Sequence, residues 1–207
     1  YRKMEGLFNY TVSANLSRVR NKVVDIPESI LGGNHITKVG HTIGSLYGYV
    51  SEGIIQDSDF DEEGNYLHAI PVEGAPEPGD LKFKDLNLDG EITDDDRTII
   101  GEPIPDFNYT FNIELFYKNF DISLFLFGMQ NYQVFNSQRS SIESFATQDL
   151  DHNKSVDFAN NYYRDDRPTT EYLRADVNNT NNNTRISTWW VEDASFLRLQ
   201  DIQLGYN

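Results

Sequence analysis

The chain has 207 residues, a net charge of −16 and a sequence pI of about 4.5, and aromatic residues make up 13 % of it. A chain this acidic lacks the basic face that nucleic acids require, so we expect no nucleic-acid partner. Cysteine is absent, which excludes disulfides and thiolate chemistry, and no apolar run is long enough for a transmembrane helix.

The chain opens on a strand pattern. From Phe8 to Ser17 apolar residues alternate with Asn, Thr and Ser, and the polar positions continue into the basic residues Arg18, Arg20 and Lys22. A period of two predicts a strand near residues 8–24 with one apolar and one polar face.

Residues 25–106 form a long connection that Gly and Pro interrupt repeatedly. A connection of this length is usually functional or has structure of its own. It contains an acidic patch over residues 57–63, which is typical of a solvated surface.

The segment DLNLDGEITDDD, residues 85–96, has the spacing of a calcium loop. Oxygen-bearing side chains stand at its first, third, fifth, ninth and twelfth positions, glycine stands sixth, and the seventh residue would offer its backbone carbonyl. The candidate ligands of a structural Ca²⁺ are Asp85, Asn87, Asp89, Glu91, Thr93 and Asp96. The other interpretation is an acidic turn that binds nothing, since Asp, Asn and Gly also favour turns.

The strongest strand pattern covers residues 107–117, with aromatic residues at both ends of its apolar face. The two residues Lys118-Asn119 predict a hairpin turn into a return strand over 120–129. Ten-residue strands with apolar and polar faces and aromatic ends are typical of outer-membrane barrels. A soluble sandwich shows the same alternation, with aliphatic residues on its inner face.

A second long connection covers residues 131–190 and contains the polar tract DVNNTNNNT, which we expect at the surface. A last strand follows near 195–206. Its apolar phase changes between Leu199 and Ile202, which predicts a β-bulge near Gln200-Asp201.

The sequence contains no GxSxG, HExxH or P-loop motif, and its four histidines lack metal-ligand spacing. We therefore expect no catalytic residues and no enzyme.

Three blocks resemble a known family: GHTIGSLYGYVSEGIIQ at 40–56, PGDLKFKDLNLDGEITDDDRTIIGEPIPDFNYTFN at 78–112, and WWVEDASFLRLQDIQLGY at 189–206. Together they are similar to the C-terminal barrel part of SusC/RagA-type TonB-dependent outer-membrane transporters. The resemblance implies an all-β fold, namely about four strands of an antiparallel transmembrane β-barrel of roughly 22 strands, with long extracellular loops over 25–106 and 131–190. It also implies that this chain is one fragment of the barrel domain.

The resemblance further implies a place in the bacterial outer membrane and import of glycans or peptides. The expected partners are a SusD-like surface lipoprotein, outer-membrane lipid, and the TonB complex, which would act through an N-terminal part that this chain lacks. In the loops, aromatic side chains suit sugar rings and interfaces. The candidates for contact with substrate or with the lipoprotein are Tyr47, Tyr49, Tyr132, Trp189 and Trp190. The other interpretation, which we favour for Trp189 and Trp190, is that these rings form the girdle or pack the loops on each other.

The alternative hypothesis is a secreted, calcium-stabilised carbohydrate-binding or dockerin-like module. Dockerins use the same D-x-N-x-D-G pattern, but in two copies on helices. This chain has one copy, between segments that favour strands.

Overall fold

The computed structural model describes residues 8–145 and 153–206. Its strands are β1 (Phe8–Arg18), β2 (Ile30–Gly32), β3 (His35–Thr37), β4 (Ser45–Gly48), β5 (Ser51–Ile54), β6 (Ile70–Pro71), β7 (Leu81–Phe83), β8 (Glu91–Ile92), β9 (Thr98–Gly101), β10 (Phe107–Tyr117), β11 (Phe120–Gln130), β12 (Gln133–Phe135), β13 (Val191–Asp193) and β14 (Phe196–Tyr206). Two short helices are α1 (Ser137–Ile142) and α2 (Val156–Asn161). Neither of them is long and apolar enough to cross a membrane. The all-β fold class predicted from the sequence is confirmed.

The four long strands form one antiparallel sheet in the order β1-β10-β11-β14, which we call the wall. Each wall strand has 11 residues. At about 3.4 Å per residue and with a tilt near 45°, this is the length that crosses the hydrocarbon core of a bilayer.

The register of the wall places the apolar residues of each strand beside the apolar residues of its neighbours. Val12 lies opposite Ile113, Ile113 opposite Leu124, and Leu124 opposite Ile202. One residue along, Ser13 lies opposite Asn112. The alternation that each strand shows separately therefore becomes one continuous apolar face and one mainly polar face across all four strands.

The predicted bulge is confirmed on β14. Phe125 pairs with Asp201 while the next residue, Leu126, pairs with Leu199, so Gln200 is the extra residue. Without it, a period of two would turn Leu199 and Ile202 to opposite faces. The bulge keeps both on the apolar face.

The predicted hairpin is also present. Tyr117 pairs with Phe120, and the turn between them consists of Lys118 and Asn119, with Lys118 at a φ of 52°. A positive φ in the turn suits the right-handed twist of the two strands.

The first strand is shorter than the predicted 8–24, because it ends at Arg18. The amide of Val19 still donates to the carbonyl of Asp106, at 3.1 Å. Val23 then exchanges backbone hydrogen bonds with Gly40 and His41 instead of with β10. The basic run that follows Arg18 therefore leaves the wall and joins the long connection.

The described parts of the two long connections fold together into what we call the loop unit, residues 19–106, 131–145 and 153–195. Its small sheets are β2-β3-β4-β9, β5-β7, β6-β8 and β12-β13. Both connections supply its hydrophobic core, which consists of Tyr49, Ile54, Leu81, Phe83, Ile92, Phe158, Tyr163, Leu173 and Trp190. The connections are thus a folded body rather than independent loops.

The polar tract expected at the surface lies partly in this core, so that prediction is wrong for two of its residues. Asn181 and Asn183 are buried. The side-chain oxygen of Asn183 accepts from the amide of Leu81 at 2.9 Å, and the side-chain amide of Asn181 donates to the carbonyl of Leu81 at 3.0 Å. Asparagine has both donors and acceptors, so it can replace missing strand partners in a buried loop.

Candidate functional site

The apolar face of the wall is well exposed on its two edge strands, β1 and β14, and partly exposed on the two middle strands. Val12 is 58 % exposed, Leu16 71 % and Leu204 72 %. Soluble proteins rarely leave such a continuous apolar surface open, whereas a barrel turns it to lipid.

One row of this face is aromatic in every strand. Phe8 pairs with Tyr117, Tyr117 with Phe120, and Phe120 with Tyr206. The rings of Phe120 and Tyr206 are 5.0 Å apart. All four lie at the hairpin end of the wall, where a girdle of aromatic residues is expected at the membrane–water interface.

The opposite face carries hydroxyl and amide groups and an aromatic patch. The side-chain amide of Asn15 donates to the Thr110 hydroxyl at 3.2 Å, which links two neighbouring strands. Phe127 on the same face contacts Phe196, with ring centroids 5.7 Å apart. This face is suited to the interior of a barrel that is partly filled by protein.

The calcium-like loop is held together by its own carboxylates. Asp85 accepts hydrogen bonds from the amides of Leu88 and Gly90, at 2.5 and 2.8 Å, and Asp89 accepts from Glu91 at 2.9 Å. Gly90 has a φ of 89°. The sharp turn at the sixth position of the motif is therefore present, and the glycine there is required by its backbone conformation.

The residue at the twelfth position of the motif, Asp96, joins the two ends of the loop through hydrogen bonds. Asp96 is buried, and its two carboxylate oxygens accept from the amides of Leu86 and Thr93, both at 2.8 Å. Within 8–145 and 153–206, no three His, Cys, Asp or Glu side chains come together as a group that could hold a metal ion. The carboxylates of Asp85, Asp89 and Asp96 are thus engaged with backbone amides.

The five predicted substrate-contacting aromatics occupy different environments. Trp190 is fully buried, and its indole N–H donates to the carbonyl of Asn183 at 3.0 Å. Tyr49 is also a core residue, and its ring packs on Phe83 at 5.7 Å. The prediction is wrong for Trp190, because a side chain without exposed surface cannot contact a substrate, and Tyr49 offers a substrate almost no surface.

The other three aromatics are partly exposed, and each contacts different neighbours. The Arg97 guanidinium stacks 4.8 Å above the Tyr47 ring, and that of Arg139 lies 5.6 Å from the Trp189 ring. The backbone of Tyr132 accepts from the amide of Ala194. The structure does not bring these residues into one site.

A buried ion pair that the sequence did not single out joins the two connections. Arg174 donates to the carboxylate of Asp80 at 2.7 Å, and the side-chain amide of Asn183 donates to the same oxygen at 2.7 Å. Burial raises the pKa of the Asp80 carboxyl, although both hydrogen bonds oppose that shift. Asp80 gave no signal in the sequence, because its partner lies 94 positions away.

No protein-family model matches the chain. Among curated proteins, TonB-dependent receptor P3 of Formosa agariphila is 32 % identical over 212 residues, which cover 97 % of this chain and 20 % of that receptor. TonB-dependent receptor SusC of Bacteroides thetaiotaomicron is 27 % identical over 188 residues, which cover 89 % of this chain and 16 % of SusC. The chain thus spans about a fifth of the length of the curated relatives it matches.

Among solved structures, the RagAB peptide transporter matches with a TM-score of 0.69 and 18 % identity, over 99 % of this chain and 21 % of that one. An open state of the RagAB peptide importer gives a TM-score of 0.70, also at 18 % identity, over 98 % of this chain and 20 % of that one. At such identity the match establishes the fold.

These relatives are receptors and transporters rather than enzymes, in agreement with the expectation from the sequence. They give no support to a secreted carbohydrate-binding or dockerin-like module. By sequence the chain is a segment of a TonB-dependent receptor of the SusC kind, and its fold is that of a segment of the RagAB transporter's β-barrel.

Proposed function

We propose that this chain supplies part of the wall and of the outer loops of a TonB-driven outer-membrane transporter that imports glycans or peptides. The observation that carries the proposal is the wall itself, in which register, bulge and aromatic row produce one lipid-compatible face and one polar face across four strands. The similarity to receptors of this family supports the same function.

The loop unit faces the outside in this proposal, and the Lys118-Asn119 turn faces the periplasm. This orientation is supported by the unequal length of the connections at the two ends of the wall. Every described residue outside the wall belongs to the loop unit at one end, except for that two-residue turn. Outer-membrane barrels have short periplasmic turns and longer extracellular loops.

The loop unit is also the part of the chain available to a SusD-like surface lipoprotein. Its partly exposed aromatics, Tyr47, Tyr132 and Trp189, remain candidates for contact with that lipoprotein or with substrate. Coupling to TonB belongs to the intact receptor.

We further propose that the 85–96 loop takes up one structural Ca²⁺. The spacing of its oxygen-bearing residues and the turn at Gly90 support this. Asp96 would have to give up a backbone hydrogen bond to join the coordination shell.

The transport proposal is tested by removing the receptor gene and measuring whole-cell uptake of candidate glycans and peptides. We expect uptake of one substrate class to be lost on deletion, to return with the intact receptor, and to be lost again without TonB. A tagged receptor extracted in mild detergent should carry a lipoprotein in a fixed ratio. Unchanged uptake for every substrate tried would contradict the transport role.

A further inference from the structure

A cleft of about 560 Å³ opens in the loop unit where the two connections meet. Its charged and phenolic lining consists of Tyr49, Glu73, Asp94, Arg97 and Arg185. The first four come from the first connection and Arg185 from the second, so the cleft depends on the joint fold of both.

Arg185 is fixed in this cleft by aromatic rings rather than by a carboxylate. Its guanidinium lies 5.6 Å from the ring centre of Tyr49 and 5.8 Å from that of Phe83. It forms no salt bridge with any residue of 8–145 or 153–206, and its Nε is buried without an acceptor. Because none of its nitrogens donates to a described residue, the guanidinium nitrogens other than the enclosed Nε keep their hydrogen-bonding capacity for an anion.

One acid of the cleft lining is already engaged. The carboxylate of Asp94 accepts from the Tyr49 hydroxyl at 3.2 Å and lies 3.6 Å from Arg97. Arg97 in turn stacks on Tyr47, and its Nε is also buried without an acceptor. Arg97 and Asp94 therefore form a pair of their own, and Arg185 has no carboxylate partner in the described part of the chain.

Glu73 is the second acid of the lining, and it lies on the exposed rim. In the described part of the chain it has no salt bridge to either arginine. Two acids beside the arginines repel a doubly charged anion more than a singly charged one, which favours a carboxylate over a phosphate as ligand.

We propose that this cleft binds a carboxylate group of the transported molecule, with Arg185 as its main donor. The inference rests on the proposed transport function and deepens it, because it assigns the substrate to the acidic class, either a uronate-containing glycan or an acidic peptide. The guanidinium fork matches a carboxylate with two parallel hydrogen bonds, and the aromatic rings hold the fork in place.

The first test uses the intact wild-type receptor in detergent and calorimetric titration. Trigalacturonic acid is compared with its methyl ester, and triglutamate with triglutamine. We expect one of the acids to bind at least about tenfold more tightly than its neutral counterpart, and to weaken as NaCl rises. Which acid binds identifies the source of the carboxylate. If both acids bind no better than their neutral counterparts, the inference is wrong.

The second test compares Arg185→Gln with Arg164→Gln, which removes an exposed arginine paired with Asp166. We expect Arg185→Gln to abolish the preference for the acid and to leave binding of its neutral counterpart unchanged, while Arg164→Gln leaves both as in wild type. A preserved acid preference in Arg185→Gln would overturn the role of Arg185.

The two proposals fail separately. Binding is measured without membranes, so a receptor that prefers acids but restores no uptake would contradict transport alone. A receptor that restores uptake but binds acids and neutral counterparts equally would contradict the carboxylate site alone.

Discussion

At the scale of single residues, the loop unit is held by buried polar groups whose partners are far apart in sequence. Asp80 is fully buried. One of its carboxylate oxygens accepts hydrogen bonds from the side chains of Arg174 and Asn183. The other accepts one from the backbone amide of Glu77 at 3.0 Å. Arg174 also pairs with Glu77 and with Asp176. One arginine thus holds the first connection to the second.

The first prediction is that Arg174→Ala loosens the whole loop unit. Removing the arginine leaves the buried Asp80 charge with two neutral donors and no cation, and breaking a buried ion pair in this way costs about 3–5 kcal/mol. We expect faster proteolysis of the loop unit in the intact receptor and a lower temperature of its unfolding.

The matched control is Arg164→Ala. Arg164 pairs with Asp166 at 3.0 Å, but both side chains are well exposed, so the loss should stay below about 1 kcal/mol. If both variants were equally sensitive to protease, the buried pair would have no special role.

The second prediction concerns the acidic loop at 85–96. Without a cation, its carboxylates repel one another, and calcium should offset that repulsion. We expect calcium at roughly 10⁻⁴–10⁻³ M to protect the loop of the wild-type receptor from protease, and magnesium to protect it less.

Two variants distinguish the loss of a calcium ligand from the loss of any negative charge in the loop. Asp89→Ala removes a proposed ligand and should abolish the protection. Asp95→Ala removes another exposed carboxylate, at the eleventh position of the motif, where no ligand is expected, and should retain the protection. Protection of both variants, or of none of the three proteins, would leave the loop as an acidic turn.

At the scale of elements, each wall strand is specified by alternation, and neighbouring strands are aligned by it. Because the side-chain period is two, a shift of one residue would turn every apolar group of a strand to the polar side. Gln200 shows this dependence most clearly, since one inserted residue restores the phase of β14 to that of β11.

The third prediction uses two neighbours on β10. Phe111 lies on the apolar face, opposite Ala14 and Leu126, while Asn112 lies on the polar face, opposite Ser13. Phe111→Arg should destabilise the receptor in its membrane by about 2–4 kcal/mol, because it places a charge near the bilayer centre.

Asn112→Arg is the matched control, with the same new charge one residue away, and it should cost much less. The measurement is the temperature at which each outer-membrane receptor loses its folded mobility in gels. Equal shifts for the two variants would show that the two faces do not differ in environment.

The same physics explains how far the sequence could predict this structure. The alternation of apolar and polar residues, the length of a turn and a change in the phase of that alternation can all be read from neighbouring residues. The wall strands, the 118–119 hairpin and the bulge could therefore be predicted. The fold of the loop unit could not, since Asn183 and Asp80 are polar residues that become core only when two distant segments meet. The sequence could not decide between the two interpretations of Trp190 for the related reason that an aromatic residue suits a core and a binding surface equally well.

At the scale of the whole segment, the fold has two different ends. One end of the wall is the aromatic row of Phe8, Tyr117, Phe120 and Tyr206, where β1 begins and β14 ends. The loop unit occupies the other end, next to Arg18 and Gln130. A membrane that surrounds the wall must therefore separate the loop unit from the hairpin.

The last prediction tests which side each end faces. The chain contains no cysteine, so a single introduced thiol reports one position when the rest of the receptor is also free of cysteine. Glu63→Cys lies on an exposed turn of the loop unit, and Asn119→Cys lies in the exposed hairpin turn. On intact cells, a membrane-impermeant maleimide should label Glu63→Cys, because extracellular loops are the long ones in such barrels. Asn119→Cys should be labelled only after the outer membrane is permeabilised, and after that step both variants should react, which controls for thiol reactivity. Labelling of Asn119→Cys but not Glu63→Cys on intact cells would mean that the segment crosses the membrane in the opposite direction.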